Sequence, residues 1–423
     1  MADFKINPTP GYNYAVKPGD TFRRIAKRAY ANEMLWLRIY RSNLTTLKST
    51  DADILSIGEV LYIPKDDTTI DAESAAVASK YSSKKKGDFT LVIDGKEVPA
   101  LNGNLLCGID YLASSWTAEI VQKRGADPKL DRLVRPFSYE PAQLYLGSKL
   151  RATGRLYTVT PHIEEDSITK TLEFFTNTAD LIDSPMPPPY EYEGNLKVIA
   201  KALCEPLGYQ IVFNIAPGAS FDFVTATKTE TIGTFLIRLA KQRGMLVTTD
   251  EYGRIVFMHG NENGSPVDTL EEGKPRPLSL EAKFNGRERF GTYMAYGWSG
   301  DADDISSIAK DSLVPSSRKY TFIADDTDEA NASITAKWYR AKTVSDALSI
   351  PYPVSDWYNS HGNMWMPNTN IIIKSPSLDI PEPTKFLIKD VGYKYSGEGR
   401  TSTLYLIPPW ALSGGEMGKE PWA

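Results

Sequence analysis

Along residues 14–64 the spacing of apolar positions changes twice. Tyr14 and Val16 alternate as a short strand does, and Pro18–Gly19 end the alternation with a turn. Asp20 or Thr21 then stands where a helix N-cap is needed, and Phe22, Ile25, Ala26 and Ala29 follow at i, i+3, i+4 and i+7, one apolar stripe. Arg23, Arg24, Lys27 and Arg28 face away from it. A second short helix is read from Trp36, Ile39 and Tyr40, and the run "SIGEVLYIPK" reads as a Gly turn and a strand that Pro64 ends. The pattern predicts β-α-α-β.

Residues 67–87 are rich in Ser, Ala, Lys and Asp and poor in large apolar groups, the composition of a flexible linker. The run Lys84–Lys86 within it reads as solvated charge. After Asp88 the period becomes two. "FTLVIDGKEVPAL" puts Phe89, Leu91 and Ile93 on one face and turns at Asp94–Gly95. "YLASSWTAEI" and "KLRATGRLYTVTPHIEE" continue the alternation, so residues 88–185 are expected to form an antiparallel β-barrel or sandwich.

"SPMPPPYEYEG" breaks the pattern. Helical spacing follows at Leu196, Ile199, Ala200 and Leu203, stopped by Gly208, and again at Ile232, Phe235, Leu236 and Leu239, stopped by Gly244. "QIVFNI" reads as a strand and "LVTTDEYGRIVFMHG" as a hairpin turning at Tyr252–Gly253. Residues 186–277 are therefore assigned to a small α+β domain. In residues 278–423 a helix over "TDEANASITAKWYRAKTVSDAL" is inserted before the strands "NIIIKSP", "KFLIKDVGYKYS" and "TSTLYLIPP", with "GEGR" turning between the last two.

Composition narrows the function. The 423 residues exceed one ordinary domain. A net charge of −5, from 48 basic and 53 acidic residues, argues against a general nucleic-acid binder. Cys107 and Cys204 lie among apolar neighbours and are expected as buried free thiols. No run reaches the ~18 apolar residues of a membrane span, and the N-terminal stretch lacks the basic and apolar regions of a signal peptide. Synthesis in the cytoplasm is expected, with no membrane partner.

Candidate chemistry is sparse. His162, His259 and His361 sit in no metal-binding spacing, and no serine lies in a G-x-S-x-G elbow. The acidic runs at Asp301, Asp303, Asp304 and at Asp325, Asp326, Asp328, Glu329 lack the Gly and closing Glu of a calcium loop. No catalytic residue, metal site or cofactor is assigned, and the chain is not expected to be an enzyme.

Two resemblances add to this. Tyr14, Val16, Pro18–Thr21, Ile25–Ala26, Asn43, Ile57–Gly58, Leu61, Ile63 and Pro64 resemble a LysM domain, assigned to residues 1–66. The resemblance implies a groove for N-acetylglucosamine polymers between Gly19, Asp20, Thr21 and Phe22 on one side and Asp53, Ile54 and Ile57 on the other. LysM-like folds in contractile tails also serve only as protein-docking units, and both uses stay open.

The second resemblance rests on "FFTNTADLIDSPM", "NLKVIAKALCEPLGYQIVF", "ETIGTFLIRLAKQRGMLVTTDEYGRIVF" and the run from Gly362 to Leu412. In order and spacing they are similar to the gpP-like baseplate hub proteins of Mu-like contractile phages, related to the T-even hub. The implied fold is α+β but mainly β: two tube-protein-like antiparallel β-barrels flanking the small α+β domain, plus the LysM module. The implied assembly is a homotrimer on the tail axis that joins the six-fold tail tube protein to the three-fold central spike protein. Wedge or sheath-initiator proteins are its further neighbours, and DNA passes through the lumen without specific binding. Peptidoglycan is the implied LysM ligand. The alternatives are a cell-wall glycan-binding protein and the hub of a tail-like contractile injection system.

Overall fold

A computed structural model describes residues 5–30, 39, 40, 43, 47, 48, 55–64, 89–121, 127–164, 168–273, 280–297, 305–324, 329–414, 416–420 and 422. The expected linker, Trp36, Asp53, Ile54 and most of the two acidic runs lie outside these residues. The chain divides into two compact units, Met1–Lys84 with Lys197–Val212, and Lys85–Leu196 with Phe213–Ala423.

The LysM segment follows its apolar pattern. β1 (Asn13–Ala15) pairs antiparallel with β2 (Val60–Tyr62), and the helix Phe22–Tyr30 lies between them in sequence. Tyr14, Val16, Phe22, Ile25, Ala26, Ile39, Leu61 and Ile63 form its core. A two-stranded sheet is marginal alone. Asn43 supplements it: its amide accepts from Tyr62 N–H (2.7 Å) and donates to Tyr62 O (2.8 Å) and Ile39 O (2.7 Å). The buried side chain thus serves β2 as a third strand would.

The next strands are β3 (Phe89–Ile93), β4 (Lys96–Val98), β5 (Asn102–Gly108), β6 (Ser115–Val121), β7 (Pro141–Leu146), β8 (Lys149–Ile163) and β9 (Ile168–Thr176). They pair antiparallel in the spatial order β4-β3-β7-β8-β9-β6-β5. The β3–β4 turn is the expected one: Asp94 and Gly95 both have positive φ, 46° and 70°, as a two-residue hairpin matching strand twist requires. The strand β3 is buried on both faces, so the single apolar face read from Phe89, Leu91 and Ile93 was half of the pattern. The sheet curls until Phe89 of β3 rests on β5, where a Cβ on Gly103 would come within 2.4 Å of the Phe89 ring. Stacked Trp116 and Phe174 (centroids 5.2 Å apart) fill the interior.

In the middle of the chain, β10 (Glu191–Gly194) lies within the Pro-rich break, and the helix Leu196–Cys204 and β11 (Ile211–Phe213) follow where the periodicity put them. β12 (Phe221–Thr225), which the pattern had not signalled, pairs antiparallel with β10. The helix Ile232–Lys241 buries Ile232, Phe235, Leu236 and Leu239, and Thr231 caps it by accepting from Thr234 N–H (3.2 Å). β13 (Leu246–Thr249) and β14 (Ile255–Met258) form the expected hairpin.

β15 (Pro266–Glu271) joins the large sheet instead of staying with residues 186–277. It pairs with β22 (Thr369–Ser375), and that ladder is parallel. A parallel neighbour needs a long crossover, and residues 272–368 between the two strands supply it. Between them lie β16 (Lys283–Phe284), a small sheet of β17 (Thr292–Gly297), β18 (Ile305–Lys310) and β19 (Lys319–Ala324), the helix Glu329–Ala347, β20 (Leu348–Ser349) and β21 (Pro351–Val354). The helix covers the small sheet through Tyr293, Ala309 and Ala336. β17 and β19 run parallel, a second exception to the antiparallel expectation.

The long strand β23 (Ile380–Ser396) and β24 (Gly399–Ile407) close the chain's regular structure. One edge of β23 is shared. Residues 380–388 pair with β22, and Asp390–Tyr395 pair with β5, from Gly108 back to Gly103. The two sets of strands are thereby spliced into one 12-stranded sheet. Lys389 is the extra residue at the splice, where the β23–β24 register shifts between Ile388 and Asp390. No helix among the described residues is long and apolar enough to cross a membrane.

Candidate functional site

The loop that follows β1 and the splice each combine charge with specific geometry.

In the loop, Gly19 has φ +81°, a left-handed conformation that a Cβ would strain. The chain turns there, and Thr21 caps the helix, its Oγ1 accepting from Arg24 N–H at 3.2 Å. Asp20 does something else. Its side chain is 7% exposed and points into the fold. Oδ2 accepts from the Tyr14 hydroxyl (2.6 Å) and from Lys17 N–H (2.9 Å), and Oδ1 is paired with the Arg28 guanidinium. Burial pushes the Asp20 carboxyl up, but the Tyr14 and Lys17 hydrogen bonds and Arg28 outweigh it and hold it below its ordinary value.

The opposite loop is tied to this one through Val16, whose N–H donates to Glu59 O (2.9 Å) while its carbonyl accepts from Gly58 N–H (2.8 Å). Glu59, itself buried, accepts from Lys48 N–H (2.6 Å) and Ser56 N–H (3.1 Å). Ile57 is left 67% exposed beside it. Of the residues expected to line a groove, Thr21 and Ile57 are exposed on these two loops, Gly19 forms the turn, and Asp20 braces the turn from inside. Phe22 is 2% exposed and packs edge-on against Tyr40 (5.4 Å), in the core. Asp53 and Ile54 lie outside the described residues.

At the splice, Asp390 lies across from Gly108, and a Cβ on that glycine would sit 1.8 Å from Asp390 Oδ1 and 2.9 Å from the Tyr111 hydroxyl. Neither of those oxygens has a hydrogen-bond partner among the described residues. Around them, Lys342 of the helix Glu329–Ala347 pairs with Asp110 (2.8 Å) and with Asp346, and Lys389 lies 3.7 Å from Asp390 Oδ2. Burial pushes the Asp390 carboxyl up to about 6; Lys389 and Lys342 oppose the shift and Asp110 adds to it. Burial likewise pushes the Tyr111 hydroxyl up. The Thr248 hydroxyl of β13 donates to Gly108 O (2.8 Å). Sequence reading missed this cluster, because its members are far apart in the chain. Cys107 and Cys204 are buried free thiols, as expected, and no group of metal-ligating side chains occurs among the described residues.

Comparison with known proteins matches three family models in chain order. Residues 14–64 match the LysM domain, residues 178–259 the second domain of the gp44-like baseplate hub proteins, and residues 327–414 the fourth domain of the Mu phage baseplate assembly protein GpP. The chain is 27% identical over 270 residues to the baseplate hub protein gp44 of Escherichia phage Mu, covering 59% of this chain and 69% of that protein. It is similar in structure to the 43 kDa tail protein of prophage MuSo2 from Shewanella oneidensis, with a TM-score of 0.65 and 21% identity over 77% of this chain and 99% of that one. A tail protein from Neisseria meningitidis gives a TM-score of 0.66 at 16% identity, covering 77% and 98%. These two likenesses establish the fold.

Proposed function

We propose that this chain, a homologue of the phage Mu baseplate hub gp44 carrying an N-terminal LysM domain, is the structural baseplate hub of a contractile tail. The observation that carries the reading is the ordered match: gp44-like and GpP-like domains in sequence, within a mainly β fold shared with phage tail proteins. The role is mechanical, and the protein resides in the tail of the virion, after synthesis in the host bacterial cytoplasm.

The division of labour we propose follows the strands. Residues 88–185 and 278–423, the latter joined by β15, supply two tube-like barrels per chain, with the rest of residues 186–277 between them and one 12-stranded sheet running through both. A stiff pair suits a closed ring of three chains that offers six similar barrels to a six-fold tube and a three-fold face to a spike. Wedge or sheath-initiator proteins would bind its periphery. The net charge of −5 suits a lumen through which DNA slides without adhering. The LysM module is proposed to engage peptidoglycan through the loops of Gly19, Thr21 and Ile57.

Light scattering on a sizing column tests the assembly. A mass near 141 kDa, three times 47.0 kDa, is expected. A chain that stays at 47.0 kDa both alone and when mixed with its tube and spike proteins overturns the ring.

A further inference from the structure

The loop after β1 is flanked by cations whose nearest acid is already engaged. Asp20 commits both carboxylate oxygens to Tyr14, Lys17 N–H and Arg28. Arg24 donates through Nη1 to Gly19 O (2.8 Å), and Lys17 donates through Nζ to Ile6 O (2.7 Å). Neither has a carboxylate partner among the described residues. The carbonyl of Gly19 therefore holds the Arg24 guanidinium on the loop while its other N–H donors face solvent, a fork suited to a carboxylate. Arg23, Lys27 and Arg28 are exposed on the same helix, which carries no acid. Residues 1–64 hold nine Lys and Arg against six Asp and Glu, a net +3, whereas the other 359 residues hold 39 against 47, a net −8. The positive charge is a property of this module.

We propose that Arg24 and Lys17 bind carboxylates of an anionic glycopeptide, so that the LysM module selects peptidoglycan over an uncharged N-acetylglucosamine polymer. The inference rests on the glycan-binding reading of the module. An uncharged chain offers hydroxyl and acetamide groups only. Peptidoglycan adds the carboxylates of its peptide stems, and these meet a loop with unspent positive charge. Two exposed ion contacts contribute roughly three- to tenfold in affinity at low salt. Salt at about 0.5 M shortens the screening length to a few ångströms and removes most of that gain.

The experiment is co-sedimentation of the full chain with purified peptidoglycan and with chitin, at low salt and in ~0.5 M NaCl. Tighter binding to peptidoglycan is expected, with a gap that closes in high salt. The variant carrying Lys17→Gln and Arg24→Gln is expected to lose roughly three- to tenfold on peptidoglycan at low salt and to bind the two polymers alike. Hydrogen exchange over residues 14–30 shows whether that variant is folded, and the salt response of the unaltered chain tests the proposal without it. Equal binding to both polymers, or a preference for peptidoglycan that salt does not change, overturns the inference and leaves glycan binding standing. Binding to neither polymer overturns the glycan reading itself.

Discussion

Asp390→Asn removes a carboxylate that the splice ionises only at a cost. Its Oδ1 has no hydrogen-bond partner among the described residues, the side chain is 13% exposed, and the cations that oppose the shift are Lys389 at 3.7 Å and the more distant Lys342. Burial therefore lifts the carboxyl from its ordinary 3.8 to about 6. The folded state holds its proton more tightly than the unfolded chain does, so stability falls as pH rises between these two values. A shift of about 2 units corresponds to about 3 kcal/mol of stability, fully present below pH ~3.5 and lost in full above pH ~7. Asn carries no charge at either end of the range. The variant should match the wild type near pH 4 and exceed its stability by up to about 3 kcal/mol at pH 8. Urea unfolding of both chains across pH 4–8, followed by tryptophan fluorescence, gives the difference directly, and the other carboxylates cancel in it. A stability difference that stays flat over that range, or that grows toward acid, refutes the argument that burial dominates at Asp390.

Three further outcomes are expected. Gly108→Ala places a methyl group 1.8 Å from Asp390 Oδ1, so the Asp390 side chain must be displaced or the strands must part; a loss of about 1–3 kcal/mol is expected in the same unfolding assay, and a neutral result would show that the splice yields easily. Asp20→Asn weakens the hold on Arg28 and should speed hydrogen exchange over residues 14–30 at pH 7. Because the folded Asp20 carboxyl lies below the ordinary 3.8, its contribution is complete above about pH 5 and is lost as pH falls through the folded value, so wild type and variant should converge in acid. Asn43→Ala leaves the N–H and carbonyl of Tyr62 without their side-chain partner and should cost about 2–3 kcal/mol in local stability, read as faster exchange at Tyr62 with the strands β3–β9 unaffected.

The elements themselves were legible because their causes are local. The Asp94–Gly95 turn, the cap candidates of the helix Phe22–Tyr30, the apolar stripes of that helix and of Ile232–Lys241, and the strands β8, β22, β23 and β24 each follow from side chains within a few positions of one another. The LysM segment and the hub resemblance were legible for the same reason, since they rest on the order of such elements. Short strands in polar or Pro-rich surroundings, β10, β12 and β15, were not, because their pairing comes from partners elsewhere in the chain. Partner choice is where tertiary structure decided. Whether β23 pairs only with β22 and β24 or also takes β5, some 285 residues earlier, depends on an edge that exists only once the first set of strands has curled. The chemistry of single residues followed suit. Asp20 and Thr21 are equal cap candidates by sequence; Tyr14 and Arg28 draw Asp20 inward and leave the cap to Thr21. Phe22 reads equally as groove or stripe until Tyr40 packs on it. Asp390 is one polar position in an alternating strand until Gly108, Tyr111 and Asp110 close around it, and burial, a property of the folded sheet alone, then sets its charge.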